Sequence, residues 1–451
     1  MAMQDLTGGP VRGHLLRMSG FMLVTMIVQT LYGIVDLLWV GRLGAEAVAA
    51  VALGSNLMMV VMSAGQVLSV GAAALVAQAM GRKDQPAVRA LFNQALLLAL
   101  LLGGLLGLLF FFGRRLYAET LAGDRHTAEL VVEFLNGFVP SLALQIPSMV
   151  LGATLRGVGN VRISTLTQIG TVLLNIVLAP ILIFGWGTGV ELGVGGAGFA
   201  TLVSVAIGFA VMLTHVLRSG QFFGRDSAAW KPQTALWKRM VGIGLPSGLE
   251  FGLMGLYLIS VMALLRPFGP QPQAAFGIGM RILQMGMMPS MAVSFATAAI
   301  VGQNFGARQH DRVVEALWLA LKWSLGGCLV FVVAFHLVPD ALFRPFTDDA
   351  AVVAYGADFL RWISWNLLAT GVVFACSGMF SGLGNTRPSL ISSAIRITVI
   401  LLPASLLSRH SDFAPGWIWR LSVVATILQA ALNLLFLKAR LRGFSRDASV
   451  V

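Results

Sequence analysis

Long apolar stretches broken by short polar gaps recur along the whole chain. A helix that crosses a bilayer needs about 20 mostly apolar residues, and by that measure twelve stretches qualify. In the first half they lie near residues 15–40, 46–78, 88–113, 130–155, 161–185 and 190–217. In the second half they lie near 238–266, 272–303, 312–338, 354–380, 387–408 and 414–438. The second and eighth are long enough to tilt or bend. The first starts at Leu15 and has no small-residue cleavage site after a short core. It therefore reads as the first spanning helix and not as a removable leader.

The polar gaps carry an internal repeat. Gln78-Ala-Met-Gly81 returns as Gln303-Asn-Phe-Gly306, a shift of 303 − 78 = 225. Gly157-Val-Gly159-Asn160-Val-Arg162 returns as Gly382-Leu-Gly384-Asn385-Thr-Arg387, and 382 − 157 is again 225. Gly44, Ala49 and Gly54 meet Gly269, Ala274 and Gly279 at the same shift. Six spans per copy return the chain to its starting side, so both copies share one orientation and are related by a pseudo-twofold axis along the membrane normal. The expected fold is an all-α integral membrane protein of twelve helices in two six-helix lobes. Residues 1–217 form the amino-terminal lobe, 218–237 a linker, and 238–451 the carboxy-terminal lobe with a short tail.

Composition agrees with a lipid-embedded chain. Of the 451 residues 57% are hydrophobic and 11% charged, with a mean hydropathy of +0.83, whereas soluble domains carry about 25% charged residues. The net charge of +12 does not point to nucleic acid, because the charges sit in the gaps and form no single patch. With both termini inside, the inside segments hold 20 of the 31 Lys and Arg residues and the outside segments nine. That asymmetry favours cytoplasmic termini and a cytoplasmic connection from Arg218 to Arg239. Cys328 and Cys376 lie in apolar runs and read as buried small residues. His215 and His336 lack a partner at ligand spacing, so neither a metal nor a cofactor is expected.

A few polar residues lie inside spans. Asp36 is the sole acidic or basic side chain between Arg17 and Arg42. A carboxylate there costs several kcal/mol, so it usually faces a protein interior and serves a function; the plainer reading is that it reaches toward headgroups. Taking up a proton would remove that cost, which suits a proton carrier. Glu250, four residues after Pro246, can carry protons, meet a cationic substrate or simply pair with a polar neighbour. Arg281 and Arg396 read as structural cations, each paired with a carbonyl or an acid. The run Met280-Arg-Ile-Leu-Gln-Met-Gly-Met-Met-Pro-Ser-Met291 includes Met287 and Met288, and methionine suits either core packing or a surface that accepts many shapes. Gly157, Gly159, Gly382 and Gly384 read as structural. Gly157 and Gly382 are expected to provide the tight turn between the fourth and fifth helices of each lobe.

Gln29-Thr-Leu-Tyr-Gly-Ile-Val-Asp36 with Val40-Gly-Arg-Leu-Gly44 and Val301-Gly-Gln-Asn-Phe-Gly-Ala307 carry a resemblance, as do the two GxGNxR loops and Gly195-Gly-Ala-Gly-Phe-Ala-Thr201. Their order and spacing resemble the MATE (multidrug and toxic compound extrusion) family, closest to its bacterial DinF-like branch, from Leu15 to about Lys438. The resemblance implies an antiporter of the bacterial inner membrane, and a monomer is expected because one chain already contains both lobes. It would export amphipathic, often cationic drugs against inward proton flow, with sodium as the lesser option. The resemblance places Asp36 in an ion-coupling pocket with Tyr32, Asn175 and Thr201. Many eukaryotic relatives carry their second acid about one turn further along, where this chain has Met254. Glu250 is therefore counted among the coupling residues on its own unusual position, and Gln29, Met254, Met287 and Met288 are expected at the substrate cavity. The chain departs from the family at Ala179, where several members carry a second aspartate, and at Phe21, where many carry a proline. A lone carboxyl argues against a sodium site, since hard cations want several oxygen ligands.

Two rivals remain at this level. A lipid-linked oligosaccharide flippase of the same superfamily would call for a strongly charged cavity. A membrane-embedded enzyme would call for an HExxH or serine–base cluster, and no such cluster stands out, nor does a GxxxxGK[ST] phosphate loop.

Overall fold

The computed structural model describes residues 4–187, 189–220, 222, 230–408, 410 and 413–447. They fold into α1 (Val11–Gly41), α2 (Ala45–Gly81), α3 (Gln85–Leu121), α4 (Arg125–Gly157), α5 (Val161–Phe184), α6 (Gly193–Ser219) and α7 (Thr234–Leu265). After a 3-10 turn at Arg266–Phe268 come α8 (Pro270–Gly306), α9 (His310–Leu337), the short α10 (Pro339–Phe343), α11 (Ala350–Gly382), α12 (Arg387–Leu407) and α13 (Pro415–Asp447). Twelve of these helices are long and apolar enough to cross a membrane, by length and composition. Each expected span is present; α10 is an added short turn before α11.

The repeat is a property of the backbone. α2 and α8 start and end at the shift already seen in the motifs (Ala45 with Pro270, Gly81 with Gly306), and so do α4 and α11 (Arg125 with Ala350, Gly157 with Gly382). The turns match as well. Lys83 and Arg308, related by the same shift, are the non-glycine residues with positive φ among those described, both at 59°. Three helices start on aspartate caps. Asp84 accepts from the Ala87 N–H at 3.1 Å, Asp124 from the Thr127 N–H at 2.8 Å, and Asp349 from the Ala351 N–H at 2.8 Å. Each bond satisfies an amide that the first helical turn leaves without a partner.

Chain contacts divide the protein into two compact units, Met1–Asp5 with Phe21–Gly248, and Leu6–Gly20 with Leu249–Val451. This differs from the sequence division at 217 and 238. The first turns of α7 remain in the first unit because Gly71 and Gly244 let backbones meet. A Cβ on Gly71 would strike the Met240 carbonyl, and one on Gly244 would strike the Val67 carbonyl. Ser63 Oγ adds a bond to Gly248 O at 3.0 Å. In the second unit, Leu6 is held from both sides: its N–H donates to Gln303 Oε1 at 2.9 Å, and its carbonyl accepts from Asn304 Nδ2 and Arg312 Nη2, each at 3.2 Å. Side-chain capture of this kind cannot be read from hydropathy.

Within each unit one helix lies at the centre. α4 packs on α2, α3 and α6, and α11 packs on α8, α9 and α13. Small residues make the fit close, as expected where lipid removes the usual hydrophobic gain between helices. A Cβ on Gly54 would lie 2.6 Å from the Phe134 ring, and one on Gly279 would lie 2.5 Å from the Phe359 ring. Both glycines and both rings are related by the repeat. Cys328 and Cys376 are free and buried, as expected.

Candidate functional site

In the first unit α1 carries Tyr32 and Asp36 one turn apart and half-buried, so both side chains lie on one helix face. α5 presents Asn175, 4% exposed, and α6 presents Thr201. The Thr201 hydroxyl donates to Ala197 O at 3.1 Å. Its oxygen accepts from Asn175 Nδ2 at 3.4 Å, and Tyr32 hydrogen-bonds the same side chain. Tyr32 also lies within electrostatic reach of Asp36. Three spanning helices thus supply a polar chain that ends beside one carboxyl. Ala179, where a second acid would stand, is buried and apolar.

The second unit holds a counterpart built on different chemistry. Glu250 Oε1 accepts from Ser393 Oγ at 2.6 Å, and Ser393 Oγ accepts from Gln429 Nε2 at 2.9 Å. Arg396 interacts electrostatically with Glu250 and lies 5.8 Å over the Tyr257 ring. Its Nε is buried with no hydrogen-bond partner among the described residues. Tyr257 hydrogen-bonds Ser422, whose hydroxyl also accepts from Asn366 Nδ2 at 2.9 Å. The repeat runs through this cluster, because Tyr257 is the second-copy counterpart of Tyr32 and Thr426 that of Thr201.

Of the expected coupling residues, Tyr32, Asp36, Asn175 and Thr201 lie together in one unit and Glu250 lies in the other. Ser393, Gln429, Tyr257, Ser422 and Asn366 join the second cluster beyond those expectations. Of these, Tyr257 was within reach by applying the repeat shift to Tyr32. Arg396 takes up the expected neighbour, an acid, whereas Arg281 is exposed on α8 and has no ion pair among the described residues. Gln29 is exposed on α1, while Met254 and Met287 pack partly buried against the core of the second unit and Met288 is half-buried.

The glycine loops need a correction. Gly157 and Gly382 end their helices without the left-handed backbone that a tight turn requires; that conformation belongs to Gly159 (φ 80°) and Gly384 (φ 73°). Gly157 and Gly382 are needed for close approach instead. A Cβ there would lie 2.9 Å from Ala73 O and 2.7 Å from Ala298 O, two carbonyls that are themselves repeat counterparts. No cluster of three or more His, Cys, Asp or Glu side chains able to hold a metal occurs among the described residues.

The profile of the MatE family matches residues 22–181 and again 246–407, once in each copy of the repeat. The chain belongs to this family. Among relatives, the multidrug export protein MepA of Staphylococcus saprophyticus is 23% identical, covering 93% of this chain and 92% of its own. The FAD transporter of Shewanella oneidensis is 25% identical over 94% of both chains. A solved multidrug resistance MATE transporter in an outward-facing conformation shares the fold at a TM-score of 0.89 and 24% identity, covering 98% of each chain. These relatives are transporters, and the MATE fold accounts for the chain from end to end.

Proposed function

We propose that this MATE protein is a multidrug efflux antiporter that exports amphipathic, often cationic compounds in exchange for protons. The observation that carries the reading is the chain Asn175–Thr201–Tyr32 ending beside Asp36 in the first unit. A carboxyl in a low-dielectric setting is far cheaper neutral than charged, and here the chain of amide and hydroxyl groups reaches it through Tyr32. The site offers one carboxylate, and sodium coordination would call for more oxygen ligands of high charge. Glu250, with Ser393 and Gln429, supplies a second acid for the same cycle. The protein works by alternating access as a monomer in a bacterial inner membrane, with both termini cytoplasmic. Export of drugs is supported by the name of the MepA relative.

The FAD transporter among the relatives supports an anionic cargo as a second reading, for which the partnerless Arg396 Nε would be a suitable contact. Proteoliposome exchange decides between these readings. Uptake of a cationic dye driven by an imposed pH gradient, and indifferent to sodium, supports proton-coupled drug export. Uptake driven by sodium alone, or transport of FAD but not dye, overturns it.

A further inference from the structure

A cavity of about 310 Å³ lies in the second unit, lined by Phe380, Leu383, Asn385, Pro388, Phe436, Ala439 and Arg440. Its place in the fold is specific. Phe380 and Leu383 close α11, Pro388 opens α12, and Phe436 to Arg440 lie near the end of α13. α11 ends and α12 begins here, beside Lys438, Arg440 and Arg442 of α13, and such a cluster of basic residues at a helix connection marks a boundary between hydrocarbon and headgroups.

The lining divides by polarity. Phe380, Leu383, Pro388, Phe436 and Ala439 form an apolar floor, and Asn385 and Arg440 are polar and exposed. Arg440 makes no ion pair among the described residues. Its neighbourhood in sequence is basic: Arg387, Lys438 and Arg442 lie on the adjoining stretches, and no acidic residue occurs in 383–393 or 430–442. The adjacent turn of α13 exposes Leu434 and Leu435. A guanidinium with no ion pair among the described residues, beside an apolar recess at a membrane boundary, complements an amphiphile with an anionic head. Guanidinium recognises phosphate by paired N–H donors.

The repeat shows what the same place looks like when the chain covers it. Leu383 and Asn385 correspond to Val158 and Asn160 in the first copy. In the first unit the amino-terminal segment lies on that loop: the Gln4 N–H donates to Val158 O at 3.1 Å, and a Cβ on Gly159 would lie 2.6 Å from Gln4 O. Asn160 is accordingly 7% exposed, whereas Asn385 is open. His215 stands in the first copy where Arg440 stands in the second. Among the described residues, no such peptide cover is seen over the second copy, which carries a permanent cation there.

We propose that this cavity is a binding site for one anionic phospholipid, with the phosphate on Arg440 and Asn385 and the start of an acyl chain in the recess between Phe380, Leu383 and Phe436. A whole lipid exceeds the cavity, so its chains continue along the exposed apolar face of α13. The inference needs only that the chain spans a membrane and does not rest on what the protein transports.

Native mass spectrometry of the full-length protein in detergent tests it, with titration of phosphatidylglycerol and of phosphatidylcholine carrying the same chains. Phosphatidylglycerol should bind in preference as a single retained lipid. Arg440→Gln, at an exposed position, should weaken it about fivefold, the effect of one basic residue at a lipid surface, and leave phosphatidylcholine unchanged. Ala439→Trp keeps the charge but fills the recess, and should weaken phosphatidylglycerol as well. Arg115→Gln, an exposed cation elsewhere on the chain, should change nothing. The proposal fails if the two lipids bind equally, if either pocket variant retains phosphatidylglycerol like the parent, or if Arg115→Gln matches Arg440→Gln. It also fails if millimolar inorganic phosphate displaces the lipid, which would make the site a phosphate site.

Discussion

Thr201 and its repeat counterpart Thr426 make the same bond: each hydroxyl donates to the carbonyl four residues earlier, Ala197 O at 3.1 Å and Ser422 O at 2.7 Å. What the two copies build on that shared feature differs. In the first, the threonine oxygen accepts from Asn175, and the threonine also hydrogen-bonds Tyr32. In the second, the tyrosine turns to Ser422, and the acid has moved to Glu250, which Ser393 holds. One backbone frame thus carries two polar sites of unlike charge, one with an acid alone and one with an acid and an arginine.

The acids can be separated by substitution. Asp36→Asn should give folded protein in the membrane whose pH-driven dye export falls at least tenfold, the effect of about 1.4 kcal/mol in an equilibrium that must change with protonation. Glu250→Gln should be milder if Asp36 is the principal carrier, because Ser393 and Gln429 can still hold the amide. Dye uptake into inverted vesicles, compared at equal protein, measures both. Parental export by Asp36→Asn would move the coupling role to Glu250.

Gly382→Val should lower the yield of folded protein and its melting temperature with little change in substrate preference. The added side chain meets Ala298 O and Val301 in a packed interface, and overpacking of that kind costs about 1–3 kcal/mol. Gly157→Val should behave alike against Ala73 O. Size-exclusion profiles and thermal scans read the loss; normal yield with altered drug preference would make these glycines part of a binding surface.

Asp124 supplies a pH-dependent contribution outside the membrane. Its carboxylate accepts from the Thr127 N–H and the Thr127 hydroxyl at 2.8 and 2.7 Å, and these bonds hold its pKa below the ordinary value. A depressed carboxyl stabilises the fold above its unfolded pKa and loses that contribution as pH falls through the folded one. Asp124→Ala should therefore melt below the parent at neutral pH, and the gap should narrow only in acid, below about pH 4. A gap that persists undiminished at the acid end would show that the side chain acts through packing instead.

Reporter fusions test the orientation. Fusions after Lys438 and within the Arg218–Arg239 connection should both report the cytoplasm, as the excess of Lys and Arg on that side predicts. A periplasmic signal at either place contradicts the arrangement.

Much of the fold was legible because lipid imposes a simple rule on sequence: each span must be long and apolar, and gaps must be short. The ends of α4 and α11 follow from the GxGN loops, and the caps at Asp84, Asp124 and Asp349 extend several helices beyond the apolar runs. Partners that meet in space were not legible. Glu250 stood out as an acid in an apolar run, but Ser393 and Gln429 lie 143 and 36 residues along the chain from their respective partners, and each is an ordinary polar residue by itself. The capture of Leu6 by Gln303, Asn304 and Arg312 was hidden for the same reason. The role given to Gly157 and Gly382 was displaced by two residues, because the motif contains two glycines and only the second takes the left-handed turn.

The paired fits of Gly54 on Phe134 and of Gly279 on Phe359 constrain how such a chain can change over generations. Each glycine answers to an aromatic ring in its own copy, so an alanine at Gly54 is relieved by a smaller side chain at Phe134 and by nothing done to Phe359. The two halves can therefore drift apart in sequence, each repairing its own interior, while their helix ends and turns stay in register. A duplicated ancestor held together this way is free to keep a lone acid in one half and acquire an arginine in the other.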